Sequence, residues 1–318
     1  MRIGLLGELE VLDDEDNHVT IAGAKLRALL AVLALHVGRV VSAEHLIDAL
    51  WGDAPPAAVR NGLQGLASKL RRALGSSDIV VMRGDGYALE LSSDAIDVGR
   101  FEQRAAEGRA KAAAGELDRA VDLLAEADSL WRGDPLADFA YYEFASGAIT
   151  RLSESRLALV EERLDIELQL GRHQQAIIQL EELVATHPLR EGFRVLLMLA
   201  LYRAGRQADA LRIFQEGRQV LGEELGLEPG PELRRLESAI LTHDPSLTPP
   251  AAPAPAQADG VGSHVGIPQA LTPLVGRDAE LRDLGRLVAE HRFITLVGPG
   301  GWARHGWPWR SGALPPRV

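Results

Sequence analysis

The sequence contains no cysteine, which excludes disulfides and thiolate metal sites. It holds no apolar run near the roughly 20 residues needed to cross a bilayer, so a membrane span is excluded as well. The opening Met1-Arg2-Ile3-Gly4-Leu5-Leu6 lacks the basic, apolar and cleavable regions of a secretory signal, and the expected compartment is the cytoplasm. No catalytic constellation emerges either. The 9 histidines are scattered without metal-ligand spacing and there is no nucleophile motif, so the expectation is a non-enzyme without cofactor or metal. Positive charge is in deficit, with 34 Lys and Arg against 45 Asp and Glu and a net charge of -11. That balance argues against indiscriminate coating of nucleic acid, because phosphate rewards a positive surface, yet it leaves room for one locally basic element.

What is present is the composition of a globular protein: 318 residues, 46% hydrophobic and 25% charged, enough for two modest domains. Residues 2 to 21 carry short apolar runs (Ile3 to Leu6, Leu9 to Leu12, Val19 to Ile21) broken by the acidic turn Asp13-Asp14-Glu15-Asp16-Asn17, a pattern that predicts a small antiparallel sheet. Residues 24 to 36 predict an apolar helix, and Ser42 caps a second one through Leu46, Ile47, Leu50 and Trp51. A third is predicted from Ala57 to Leu74, with Gly75 as its C-terminal cap. Ile79 to Met82 and Tyr87 to Leu89 then flank the turn Arg83-Gly84-Asp85-Gly86, a hairpin signal. Sheet, three helices and hairpin in this order make a winged helix-turn-helix plan over residues 1 to 94.

The third helix has two faces. Val59, Leu63, Leu66, Leu70 and Leu74 fall on one side of the helical wheel, while Arg60, Asn61, Gln64, Ser68, Arg71 and Arg72 fall on the other. From Ala54 to Leu74 there is no acid, although the chain as a whole is acidic. A helix in a major groove reads base edges mostly with its N-terminal half, so Arg60, Asn61 and Gln64 are the candidates for base contacts. Ser68, Lys69, Arg71 and Arg72 would hold phosphates. Arg83, beside the hairpin turn, could enter a neighbouring minor groove. Gly62 and Gly65 each weaken this helix by about 1 kcal/mol relative to alanine, and either permit close approach to DNA or record a weak helix. Trp51 and Tyr87 lie among apolar neighbours and read as packing residues.

From Asp97 to about His243 the period is helical, and one element recurs: Gly115-Glu-Leu-Asp-Arg-Ala120, Gly171-Arg-His-Gln-Gln-Ala176 and Gly205-Arg-Gln-Ala-Asp-Ala210. Gly171 and Gly205 are 34 residues apart, the tetratricopeptide period, and Pro188 separates the intervening helices. The expected second domain, residues 95 to 245, is therefore all-α and tetratricopeptide-like, for a fold class that is mainly α. Residues 246 to 272 turn to proline and alanine and read as a linker.

These motifs resemble the Streptomyces antibiotic regulatory protein family. The resemblance rests on Gly23-Ala-Lys25-Leu-Arg27-Ala-Leu-Leu, Leu46-Ile-Asp-Ala-Leu-Trp51-Gly-Asp-Ala-Pro-Pro56, Leu63-Gln-Gly-Leu-Ala-Ser68-Lys-Leu-Arg71-Arg-Ala-Leu-Gly75, Asp97-Val-Gly-Arg-Phe101 and Leu225-Gly-Leu-Glu-Pro-Gly-Pro231, and covers about residues 1 to 245. It implies an OmpR-like winged helix that binds direct repeats in double-stranded promoter DNA. It also implies a bacterial transcriptional activation domain that supports homodimerisation and contact with RNA polymerase holoenzyme, in the control of secondary-metabolism genes. With it, Lys25 and Arg27 of the first motif join the candidate DNA-binding set. Gly62 and Gly65 stand where members of the family commonly carry bulkier residues, so an operator sequence does not carry over.

Residues 273 to 318 resemble the entrance to the signal-transduction (NB-ARC-like) ATPase domain of larger relatives, through Leu274-Val-Gly-Arg277-Asp-Ala-Glu-Leu281 and Ile294-Thr-Leu-Val-Gly298-Pro-Gly-Gly301. A P-loop would continue to a lysine and a hydroxyl, but Ala303, Arg304 and His305 stand there instead, so nucleotide binding is expected to fail. The tryptophan-rich Trp302-Ala-Arg-His-Gly-Trp307-Pro-Trp309 can be back-translated so that one added base yields Val-Gly-Lys-Thr-Arg-Leu-Ala-Leu, completing the loop from Gly298. A frameshift truncating a larger regulator is the expectation. Two alternatives stay open at this point: a helical-repeat adaptor that does not bind DNA, and an ATPase-type switch.

Overall fold

The computed structural model describes residues 1–247, all within one compact unit, Met1–Ala252. Residues 248–272 of the expected linker and the interrupted P-loop segment therefore lie outside the described residues. Among the described residues no helix is long and apolar enough to cross a membrane, and no group of three or more His, Cys, Asp or Glu is placed to hold a metal ion.

The N-terminal sheet is smaller than its apolar runs suggest. Strands β1 (Arg2–Gly4) and β2 (Glu10–Leu12) pair antiparallel, with Ile3 opposite Val11. Asp13 closes the acidic turn by accepting from the amides of Glu15 and Asn17 at 2.8 and 2.9 Å. The third run, Val19 to Ile21, forms no strand. It keeps one backbone bond, Val19 to the Val11 carbonyl at 2.8 Å, and a bridge at His18, then leaves the ladder to bury Ile21.

Helix α1 (Ala24–Leu35) is buried along Ala28 to Ala34, as expected of a helix that is apolar nearly all round. Helix α2 (Ala43–Trp51) starts at Ser42, whose hydroxyl accepts from the His45 amide at 3.2 Å, and so satisfies one orphan amide of the first turn. Helix α3 (Val59–Ala73) packs Leu63, Ala67 and Leu70 inward, each leucine contributing about 1.5–3 kcal/mol by leaving water. Strands β3 (Val41–Ser42), β4 (Val80–Arg83) and β5 (Gly86–Leu89) form an antiparallel sheet in the order β3-β5-β4. This is a winged helix, and its second sheet anchors the wing to the start of α2.

Among the described residues seven α-helices follow. They are α4 (Asp97–Ala113), α5 (Leu117–Asp128), α6 (Glu143–Gln169), α7 (His173–Thr186), α8 (Glu191–Arg203), α9 (Gln207–Leu225) and α10 (Pro231–Leu241). The three recurring glycines close three helical hairpins in the same way, with φ of 79°, 79° and 78° at Gly115, Gly171 and Gly205. In each turn the amide after the glycine reaches back to the last helical turn: Glu116 to the Lys111 carbonyl, Arg172 to Glu167 and Arg206 to Leu201, at 3.0, 2.9 and 2.8 Å. That is the Schellman closure, which needs a left-handed residue at the glycine. Ala120, Ala176 and Ala210 are fully buried, leaving room for the neighbouring helix. Pro188 lies in the turn between α7 and α8, where its carbonyl accepts from the buried Arg194 guanidinium at 3.1 and 3.3 Å.

The winged helix and the helical repeats share a joint rather than a linker. The buried Asp97 carboxylate, at the first turn of α4, accepts from the amides of Leu5 and Leu6 at 2.8 and 2.9 Å and pairs with Arg132 at 3.2 Å. The Leu5 and Leu6 carbonyls in turn accept from the amides of Leu136 and Arg132, both at 2.8 Å. Asp138 accepts from the Leu9 amide and from Arg27, both at 2.6 Å. The apolar run expected as one strand thus stops at Gly4, because its next amides are claimed by an aspartate 92 residues away.

Candidate nucleic-acid interface

Burial of Leu63, Ala67, Leu70 and Leu74 turns the opposite side of α3 outward. Arg60, Asn61, Gln64, Ser68, Lys69 and Arg72 are exposed along it. Ala67 takes a core position that the wheel had given to Leu66, which is only half-buried; one short side chain lets α3 sit closer to its neighbours. Among the described residues neither Lys69 nor Arg72 is within salt-bridge distance of a carboxylate, and the first turn of α3 holds no acid. The helix presents free cations and amides in line.

Arg71 is placed differently. It is half-buried, and its Nε donates to the Val80 carbonyl at 2.6 Å while the guanidinium lies 6.0 Å from the Tyr87 ring centre. One edge of this guanidinium therefore ties α3 to the wing hairpin. Arg83, at the end of β4, is exposed and lies 3.0 Å from Glu90. Tyr87 itself is buried in the core. The wing turn is a two-residue loop with a positive φ of 56° at Gly84 and not at Asp85, the II′ arrangement whose twist suits a hairpin. Gly86 has no room for a side chain, since a Cβ there would fall 2.2 Å from the Val41 carbonyl oxygen.

Comparisons with known proteins bear on the same residues. Residues 17–89 match the family described as transcriptional regulatory protein, C terminal, and residues 96–241 match the bacterial transcriptional activator domain. Regulatory protein DnrI of Streptomyces peucetius is 38% identical over 257 residues, which cover 78% of this chain and 94% of that protein. The chain belongs to the Streptomyces antibiotic regulatory protein family. By family its two matched regions are those of transcription regulators.

A second member of the antibiotic regulatory protein family, regulatory protein AfsR of Streptomyces coelicolor, is 39% identical over 290 residues, 91% of this chain. The chain spans only 29% of that protein's length. The solved structure titled Mycobacterium tuberculosis EmbR in complex with low affinity phosphopeptide superposes with a TM-score of 0.74 at 33% identity, covering 77% of this chain and 65% of that one. The winged-helix and helical-repeat architecture is thus shared with a solved relative.

The two basic residues of the first family motif part company. Lys25, exposed at the start of α1, donates to the Leu50 carbonyl at 3.1 Å and lies 4.4 Å over the Trp51 ring. That ring in turn covers Gly62 of α3, where an added Cβ would stand 3.6 Å from it. Gly65, by contrast, has open space around its Cα. Trp51 is therefore a packing bridge between Lys25 and α3, and a Cβ at Gly62 would meet its ring at ordinary van der Waals distance. Arg27 faces the helical repeats, paired with Asp138 at 2.6 Å. One residue at this face had no signal of its own in the sequence: Asp85, 3.0 Å from Arg60. Its position beside α3 follows from hairpin pairing.

Proposed function

We propose that this chain is a sequence-selective DNA-binding transcription activator. Helix α3 enters the major groove; Arg60, Asn61 and Gln64 meet base edges, while Ser68, Lys69, Arg71 and Arg72 hold phosphates. Arg83 brings the wing to the adjacent minor groove, and Lys25 adds charge at the near edge. Residues 1–94 act as the DNA-binding part and 95–245 as the part that meets RNA polymerase; residues 246–272 are a linker. Two copies occupy promoter direct repeats of secondary-metabolism genes, and Arg27 serves the joint between the two parts.

The observation that carries this reading is the acid-free outward face of α3 in a chain of net charge -11, with Lys69 and Arg72 free of carboxylates among the described residues. Cations kept unpaired in an acidic protein are suited to an anionic partner. The test is fluorescence anisotropy of the full chain on a duplex pool selected from random sequence, across salt concentrations. Selective binding that weakens steeply with salt is expected. Salt-independent binding, or none, favours the helical-repeat adaptor that does not touch DNA.

A further inference from the structure

The wing tip places an anion against the reading helix. Asp85 lies 3.0 Å from Arg60, yet both side chains are largely exposed, at 72% and 64%. Charge attraction alone would leave such a pair loose. Here the backbone beneath Asp85 is held on both sides. Its carbonyl accepts from the Ala43 amide at 2.8 Å, at the capped start of α2, and Gly86 behind it is pressed against the Val41 carbonyl. Gly84 sets the turn ahead of it with a left-handed φ of 56°. Arg60 lies one residue into α3, at the positive end of the helix, where the Asp85 carboxylate is favoured and offsets the unfavourable placement of the cation.

We infer that Asp85 is a positioning residue for base recognition: it holds one edge of the Arg60 guanidinium so that the remaining donors point along a single direction into the groove. This inference rests on the DNA-binding reading above. A guanidinium presents its donors in a planar fork, so a carboxylate on one Nη orients the others. An arginine ordered before binding discriminates between bases better than one that can swing to a phosphate. The same carboxylate repels phosphate, which lowers affinity for duplexes where Arg60 gains no base contact. Selectivity therefore increases at the expense of general affinity.

The experiment compares the full-length protein with Asp85→Asn, Arg60→Ala and the double variant on a duplex pool with a randomised core, sequenced after selection, and on one non-cognate duplex across salt. The tip is exposed and Asn keeps the volume of Asp, so thermal melting should match that of the unsubstituted protein. Asp85→Asn is expected to flatten base preference at one base pair by about tenfold, the same pair that Arg60→Ala flattens. It should also raise non-cognate affinity several-fold and steepen the salt slope by about 0.9 as Arg60 turns to a phosphate. The double variant should show the base profile of Arg60→Ala alone. Selective binding whose base profile Asp85→Asn leaves unaltered, or effects that add in the double variant, would overturn the inference alone. Absence of selective binding by the unsubstituted protein would overturn the functional reading and the inference with it.

Discussion

The C-terminal half of α3 and much of the surface of the helical repeats treat charge differently. On the repeats, Arg109, Arg151, Arg163, Arg190 and Arg218 each lie within salt-bridge distance of a glutamate, the Arg163–Glu167 pair at 2.6 Å and mostly buried. On α3, Lys69 and Arg72 meet no carboxylate among the described residues. The contrast separates two uses of an arginine or lysine. One kind is satisfied by a carboxylate of the fold; the other meets none among the described residues and stays open to solvent.

The joint should break that contrast most visibly if it is wrong. Replacing Asp97 by alanine strands the amides of Leu5 and Leu6 in a buried place and removes one of the two carboxylates that the exposed Arg132 meets. A loss of about 3 kcal/mol in urea unfolding is expected, with DNA affinity falling only as folded protein is lost. A change under 1 kcal/mol would show that the joint is not held by this carboxylate. The double replacement Lys69→Ala, Arg72→Ala should do the reverse. Stability should move by no more than about 0.5 kcal/mol. The salt slope of DNA binding should drop by roughly 1.8, since each phosphate contact contributes about 0.9.

Smaller effects sharpen the same distinction. Gly205→Ala forces a side chain into a left-handed turn where space is free, so only backbone strain is added. About 1 kcal/mol of stability should be lost without any change in the salt slope of DNA binding. His173 gives the least effect. Burial first, and the Arg203 cation second, hold its imidazole below its ordinary pKa. A folded-state pKa depressed in this way means that the contribution to stability is present above the unfolded pKa, near 6.5, and is lost as the pH falls through the lower folded value. Melting temperature measured from pH 7.5 to 5.5 should therefore decline slightly less in His173→Gln than in the unsubstituted protein; identical slopes would remove His173 from the account.

The face of α3 was legible because its leucines and its polar residues follow a 3.6-residue period within a single helix. The three glycine turns were legible for a related reason, since a left-handed closure almost demands glycine and each is followed by a buried alanine at the same distance. Arg27 was not legible as a joint residue. Nothing next to it in the chain indicates Asp138, and in sequence it stands beside Lys25 in one basic motif. The wheel likewise could not show that the Arg71 Nε would be taken by the Val80 carbonyl, or that Val19 to Ile21 would leave the sheet.

By itself the sequence determined where the helices run, which side of each is apolar, where the hairpins turn and that one basic, acid-free stretch sits in an acidic chain. Those properties belong to residues a few positions apart, whose spacing the backbone geometry dictates. Only the tertiary structure decided which charges find partners: Asp97 with the amides of Leu5 and Leu6, Arg27 with Asp138, Asp85 with Arg60. Such pairs join positions brought together by the packing of separate elements, and no local period records them.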